Sequence, residues 1–260
     1  MRFFRISFFM LCMVLFALPI AAQSVQDVIA QGDKLSLKDF NNEGALNKFL
    51  QADKMSPNNY EILWRISRSY VDIGEHLPAT TDAQKKEIEK KYQIAYDYAN
   101  KAFELAPDKS INCLRRAIAT GRIALSKGIF SVIGLVKDVK ADVEKGIKLN
   151  NGGSEVQASL HYVLGRTHAK VCEKAKFLRI PLGLGWGDMD VSFAEFQKAI
   201  ELRPAFRMYH LDYAKALIEE DEYQKAKEQL YKIKSCPVID EDDNSYASEA
   251  AALIEKIKDK

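Results

Sequence analysis

The chain has 260 residues, of which 28% are charged and 47% are hydrophobic, with 38 basic and 36 acidic side chains. This composition is that of an ordinary globular protein and excludes a disordered chain, a collagen-like chain and a small disulfide-rich fold. The formal charge of +2 gives no indication of nucleic-acid binding.

The first 22 residues have the pattern of a secretory signal peptide. Two arginines are followed by an uncharged apolar run over residues 6–20, and two alanines precede Gln23. The run is short for a membrane span, which favours cleavage before Gln23 over an uncleaved N-terminal anchor. The sequence therefore predicts an exported protein, periplasmic or extracellular, whose mature chain is residues 23–260.

Cysteine and histidine spacing predicts neither a disulfide framework nor a metal site. Cys113, Cys172 and Cys236 remain after the predicted cleavage, and three cysteines form at most one disulfide. His168 and Cys172 lie on one predicted helix face, but His161 lies about two turns, roughly 10 Å, before His168, so one zinc ion cannot bridge His161 and Cys172. No metal and no cofactor are expected.

One spacing of residues recurs along the chain. Ala45, Phe49, Ala52 and Pro57 define the pattern, which returns over 95–107 and 192–204, with weaker copies beginning at Val139 and Ala226. The small residues let neighbouring helices approach closely, the large residue fills the gap, and the proline lies just past the helix end. This pattern resembles the second helix of a tetratricopeptide repeat.

Apolar residues at helical spacing precede each copy. Helices are predicted over residues 25–35, 60–74, 111–125, 160–172 and 208–218, and a last helix over 245–257 would cap the stack. The sequence thus predicts an all-α, tetratricopeptide-like helical-hairpin solenoid of about five helix pairs plus a C-terminal capping helix, as one repeat domain over 23–260. The copies are 44 to 53 residues apart, and the excess over a plain repeat of about 34 residues falls between the helices of a pair.

A closer resemblance begins in residues 60–70, which read Y-E-I-L-W-R-I-S-R-S-Y and are similar to the E-L-W-R-x-A-R-A-Y helix of the regulator of microtubule dynamics family. It continues through the L-G-R of residues 164–166 and a proline-containing insertion before residues 196–204. The resemblance implies an all-helical repeat scaffold, and some animal members are linked to microtubules or organelle membrane contacts. We do not carry that role over, because the repeats follow a predicted export signal and the animal N-terminal regions have no counterpart in residues 23–59.

A series of basic residues is predicted on the concave face, which the first helices of stacked repeats line. The series consists of Arg65, Arg68, Arg115, Arg122, Arg166, Lys170 and Lys215. Arg68, Arg166 and Lys215 occupy equivalent positions of their helices. Such a row would hold acidic side chains or the C-terminal carboxylate of a bound protein or peptide. The competing interpretation is that these are ordinary solvated or ion-paired side chains.

A second candidate surface is the apolar, glycine-rich insertion over residues 177–187. One hypothesis is that Phe177, Leu182, Leu184 and Trp186 form an exposed hydrophobic lip for a partner or a membrane surface. The other is that the insertion folds back and covers the gap between repeats.

The motifs of common catalytic sites are absent from the sequence, including G-x-x-x-x-G-K, G-x-S-x-G and H-E-x-x-H. Trp64 is predicted to belong to the core, and the acidic runs at 219–222 and 240–243 are interpreted as solvated loops.

We therefore predict a non-enzymatic scaffold that binds a protein or peptide and no nucleic acid. The alternative is a hydrophobic-ligand or envelope-membrane-associated protein that uses the insertion, whose binding would resist high salt.

Overall fold

The computed structural model describes residues 24–260, and the predicted signal peptide over residues 1–22 lies outside them. The described residues form twelve helices and no strand. The helices are α1 (Val25–Leu37), α2 (Asn42–Met55), α3 (Tyr60–His76), α4 (Asp82–Leu105), α5 (Ser110–Lys127), α6 (Ile133–Leu149), α7 (Gly153–Cys172), α8 (Lys176–Arg179), α9 (Met189–Leu202), α10 (Arg207–Glu219), α11 (Tyr223–Ile233) and α12 (Asp243–Lys256). Among these residues, no helix is long and apolar enough to cross a bilayer.

The helices form five packed pairs, α1 with α2, α3 with α4, α5 with α6, α7 with α9 and α10 with α11. The last helix, α12, packs on α10 and α11. First helices of successive pairs also pack together, as α3 does on α5 and α5 on α7. The predicted solenoid of five pairs plus a capping helix is therefore confirmed.

Local sequence explains where several helices begin and where one prediction differs. Ser24 and Thr81 form capping boxes at α1 and α4, and the carboxylate of Asp188 caps α9 by accepting from the Val191 N–H at 3.1 Å. Helix α7 begins at Gly153, seven residues before the predicted start at residue 160. Its first two turns carry few large apolar residues, so periodicity did not detect them.

Second helices place large residues against small ones on their partner helices, as α2 and α9 show. A Cβ atom added at Gly32 would lie 2.5 Å from the ring of Phe49, and one added at Gly165 would lie 3.3 Å from the ring of Phe196. Gly165 also accepts a hydrogen bond from the Ser192 hydroxyl at 2.8 Å through its carbonyl. The recurring spacing in the sequence therefore corresponds to close helix contacts that only small residues allow.

The loop between α11 and α12, residues 234–242, reaches back to the N-terminal half of the chain; we call it the closing loop. The amide of Asn42 donates to both carboxylate oxygens of Glu241 at 3.0 Å, although the two residues are 199 positions apart. At the end of α3, His76 Nε2 lies 3.3 Å from a carboxylate oxygen of Asp242. These contacts connect the two ends of the solenoid and close its concave face into a cavity.

Candidate functional site

The concave face encloses a cavity of about 990 Å³, lined mainly by the first helices of the pairs and by the closing loop. All seven predicted basic residues lie in its wall: Arg65, Arg68, Arg115, Arg122, Arg166, Lys170 and Lys215. The wall carries nine basic and nine acidic side chains, so its charge is balanced. The structure thus places the predicted cations together, but among acids that the prediction did not include.

Most of these cations join one first helix to the next. Arg65 and Arg68 of α3 share the carboxylate of Asp33 on α1, at 2.9 Å and 3.0 Å. Arg122 of α5 pairs in the same way with Glu75 of α3. Ion pairing, one of the two interpretations that the sequence left open, therefore describes this part of the series.

In the C-terminal half of the cavity, Arg166 of α7 pairs with Asp212 of α10 at 3.3 Å, and Lys215 of α10 pairs with Glu249 of α12 at 2.8 Å. Lys170 pairs with Glu173 at 2.5 Å, three positions along the chain, and so does not join two helices. The hydroxyl of Tyr162 donates to Asp212 at 2.6 Å and accepts from the guanidinium of Arg166 at 3.1 Å. Burial is the main reason that the pKa of Tyr162 is raised, so the phenol stays neutral and keeps this donor.

Arg115 is the exception in the series. Within residues 24–260 it makes no ion pair, and its Nε–H is buried without an acceptor. Burial, followed by the nearby charge of Arg68, lowers the pKa of Arg115 to about 10 against the opposing charge of Asp72, so the guanidinium remains charged at neutral pH. The side chain is half-buried, and a buried N–H donor that lacks an acceptor is unfavourable. A ligand that supplied an acceptor here would remove that cost.

Trp64 organises the guanidinium groups at this end of the cavity. Its ring centroid lies 4.0 Å from the guanidinium carbon of Arg65 and 5.4 Å from those of Arg68 and Arg115. Its indole N–H donates to Glu61 at 3.1 Å. Trp64 is buried as predicted, and the exposed part of its side chain forms cavity wall. Cation–π contacts with one aromatic ring hold the three arginines at defined positions.

Sequence reasoning missed the acidic side of the cavity. Asp72 of α3 has its pKa raised by burial, although Arg68 and Arg115 act in the opposite direction. Burial likewise raises the pKa of Asp240 and of Glu241, which enter the wall from the closing loop. The acidic run of this loop is visible in the sequence, but no local pattern shows that it crosses to α3.

The histidines and cysteine that share a face of α7 have separate structural roles. His161 pairs with Glu195 at 2.6 Å, and His168 Nδ1 accepts from the Asp188 N–H at 3.2 Å. Burial and a neighbouring lysine lower the pKa of His168, consistent with a neutral imidazole in that role. Cys172 is a free thiol. Over residues 24–260 there is no group of three or more side chains that could hold a metal ion.

The apolar insertion is divided between core and surface. Leu184 is fully buried beside α5, α6 and α7, and Leu182 and Trp186 pack half-buried against it. The expectation of an exposed lip is therefore wrong for Leu184, which covers the gap between repeats instead. Phe177 alone of the four predicted residues is strongly exposed, at 73%.

Comparison with known proteins agrees with this architecture. The solved structure of TTC0263, a thermophilic TPR protein of Thermus thermophilus, is similar with a TM-score of 0.64 and 15% identity, over 88% of this chain and 100% of that one. The human IFIT1 dimer with PPP-AAAA is similar with a TM-score of 0.50 and 19% identity, over 91% of this chain and 56% of that one. At these identities the likeness concerns the fold alone.

No curated protein sequence matches the chain. A family model described as "Regulator of microtubule dynamics protein 1-3" matches residues 28–258. That range includes all twelve helices except the first three residues of α1, so the resemblance that begins in residues 60–70 extends to both ends of the solenoid. The chain belongs to the regulator of microtubule dynamics protein 1-3 family.

Proposed function

We propose that the chain is a non-enzymatic scaffold that binds a protein or peptide segment in the concave cavity, with a carboxylate of that segment on Arg115. The observation that carries the proposal is the guanidinium of Arg115 in the cavity wall, which has no ion-pair partner among residues 24–260. A carboxylate there would form charge-assisted, bidentate hydrogen bonds and would supply the acceptor that residues 24–260 do not.

The size and closure of the cavity favour a chain end as the ligand. A volume of about 990 Å³ is at the upper end of the range for ligand pockets, roughly 300–1,000 Å³, and suits a short segment. Because the closing loop contacts both Asn42 and His76, a free end would enter more easily than the middle of a chain. A free C-terminus also brings its own carboxylate.

The charge balance of the cavity wall indicates how many acidic groups the ligand should carry. Nine acidic side chains line the cavity together with nine basic ones, so a ligand with many acidic residues would meet repulsion. The paired cations hold neighbouring first helices in place, which keeps Arg115 in position before a ligand arrives. We therefore favour a single C-terminal carboxylate over a run of acidic side chains.

The test compares peptides that differ only at the C-terminus. Residues 23–260 are immobilised and exposed to random-sequence peptides with free C-terminal carboxylates and to the same library with C-terminal amides. We expect the free-acid peptides to be retained about tenfold better or more, since a hydrogen bond to a charged group contributes roughly 1.5–3 kcal/mol. High salt should reduce this preference, which depends on charge.

Two variants make the test specific to Arg115. Arg115→Met should abolish the preference for free-acid peptides, whereas Lys198→Met, which removes an exposed lysine outside the cavity wall, should leave it intact. Equal retention of acid and amide peptides by the unaltered protein, or an unchanged preference in Arg115→Met, would contradict the proposal.

We also propose, from the pattern of residues 1–22, that the chain is exported to the periplasm or beyond. N-terminal sequencing of the protein recovered from the envelope fraction should begin at Gln23. Recovery with Met1 intact in the cytosolic fraction would contradict export.

A further inference from the structure

A short segment between α7 and α9 exposes three large apolar side chains. Phe177, Leu178 and Ile180 are 73%, 49% and 56% exposed, and we call them the α8 patch. None of them lines the concave cavity. Clustered apolar side chains of this size on a surface indicate a contact with something other than water.

The α8 patch has the reverse of the usual arrangement at a protein surface. Arg179, the charged residue within it, is buried, while its apolar neighbours point into solvent. The guanidinium of Arg179 donates to the carbonyl of Gly187 at 2.5 Å and to that of Leu184 at 3.4 Å. Arginine is rarely buried without such partners. These bonds, with the Leu184 side chain in the core, hold the segment in the conformation that exposes the patch.

Lysines lie beside the α8 patch. Between Glu173 and Asp188, residues 174–187 contain three basic residues and no acidic one, and of the three only Arg179 is buried. Lys176 directly precedes the patch, and Lys174 lies with its Nζ 4.5 Å from the ring centroid of Phe130. Lys137 contributes a third amine beside the insertion, 2.7 Å from the position of a Cβ atom on Gly183.

Exposed apolar side chains with lysines nearby fit a lipid surface better than a protein partner. Lysine is depleted in protein–protein interfaces, because its ammonium group is strongly hydrated. At an anionic membrane the same groups are favourable, since lysines near the surface attract lipid phosphates while apolar side chains enter the head-group region.

We propose that the α8 patch docks the protein on an anionic membrane surface. Phe177, Leu178 and Ile180 enter the boundary between head groups and acyl chains, and Lys137, Lys174 and Lys176 contact lipid phosphates. This binding is peripheral and reversible, and it uses a surface separate from the cavity assigned to peptide binding.

The experiment is co-sedimentation with vesicles. The helices from Val25 to Lys256 build their cores with one another, so residues 23–260 are used, which also removes the apolar N-terminal run from the assay. We expect binding to vesicles of phosphatidylcholine with phosphatidylglycerol and little binding to phosphatidylcholine alone. Phe177→Ser with Ile180→Ser should lower the affinity by about tenfold or more, because each removes an inserted apolar side chain.

Charge and control variants complete the test. Lys174→Gln with Lys176→Gln should lower the affinity for anionic vesicles by roughly fivefold per lysine. Leu105→Ser, at a side chain 47% exposed elsewhere on the surface, and Arg115→Met, in the cavity, should leave it unchanged. Equal binding to neutral vesicles, no binding to either kind, or a loss caused by Leu105→Ser or Arg115→Met in place of the patch variants would overturn the proposal. Thermal melts of Phe177→Ser with Ile180→Ser and of Leu105→Ser should match the unaltered protein, since these side chains are exposed.

Discussion

The concave cavity is polar and the insertion between α7 and α9 is apolar. In both regions, some side chains pack or pair with the rest of the fold and others do not. In the polar cavity, six of the seven basic residues of the series are ion-paired and Arg115 is left without a partner within residues 24–260. In the apolar insertion, Leu184 enters the core while Phe177 stays in solvent. In both regions, the side chains that the fold does not use are the ones available to a partner.

Arg115 and Phe177 differ in what makes their present surroundings unfavourable. Arg115 is a half-buried charge whose Nε–H lacks an acceptor within residues 24–260, so it gains by meeting an anion. Phe177 and its neighbours are hydrated apolar surface, so they gain by leaving water. We therefore expect that, within each region, substituting a packed or paired residue mainly lowers the free energy of unfolding. Substituting the residue without a partner should mainly change binding.

The largest effect is expected within the insertion. Leu184→Ala should lower the free energy of unfolding by about 2–5 kcal/mol, because it leaves a cavity among α5, α6 and α7. Phe177→Ala should change it by no more than about 0.5 kcal/mol, since that side chain is exposed. Urea denaturation with linear extrapolation measures both. Similar small changes in the two variants would mean that Leu184 is not a core residue.

A smaller contrast is expected within the cavity. Arg166→Met removes the cation that pairs with Asp212 and donates to Tyr162, and should cost about 1–2 kcal/mol of unfolding free energy. Arg115→Met should be neutral or slightly stabilising, within about 1 kcal/mol, because it removes a buried charge that lacks a partner in the described chain. Urea denaturation again provides the comparison. If Arg115→Met proved as costly as Arg166→Met, Arg115 would be structural and its proposed role in binding would lose its basis.

The smallest effect concerns the closing loop and its pH dependence. Burial alone would lower the pKa of His76, but a hydrogen bond to the Asp72 carbonyl and the carboxylates of Glu241 and Asp242 raise it above the ordinary 6.5. Because the histidine pKa is raised in the folded state, the contact contributes its full stabilisation below pH 6.5. That stabilisation is lost as the pH rises through the folded-state pKa of His76. Because His76 is partly exposed, the contribution should stay below about 1 kcal/mol.

Hydrogen–deuterium exchange of residues 238–243 provides the measurement. After correction for intrinsic rates, exchange should become faster as the pH is raised above 6.5, and His76→Gln should remove that dependence. Slower exchange at the higher pH would show that His76 does not hold the loop.

The sequence by itself determined the helices, their pairing and the family, because these follow from local spacing. The A-x3-F-x2-A-x4-P copies and the apolar periods of the first helices place small and large residues where adjacent helices meet, as Gly32 and Phe49 do. The same periodicity placed the basic residues on one face, and all seven line the cavity.

Only the tertiary structure decided which of those residues remain free. Arg65 and Asp33 are 32 positions apart, and Asn42 and Glu241 are 199 apart, so no spacing within one helix reveals these partners. Periodicity gives the face on which a side chain lies, whereas the charge or apolar group opposite it comes from a different repeat. For that reason three features are properties of the assembled solenoid: the lack of a partner for Arg115 within residues 24–260, the crossing of the closing loop, and the burial of Leu184 beside the exposed Phe177.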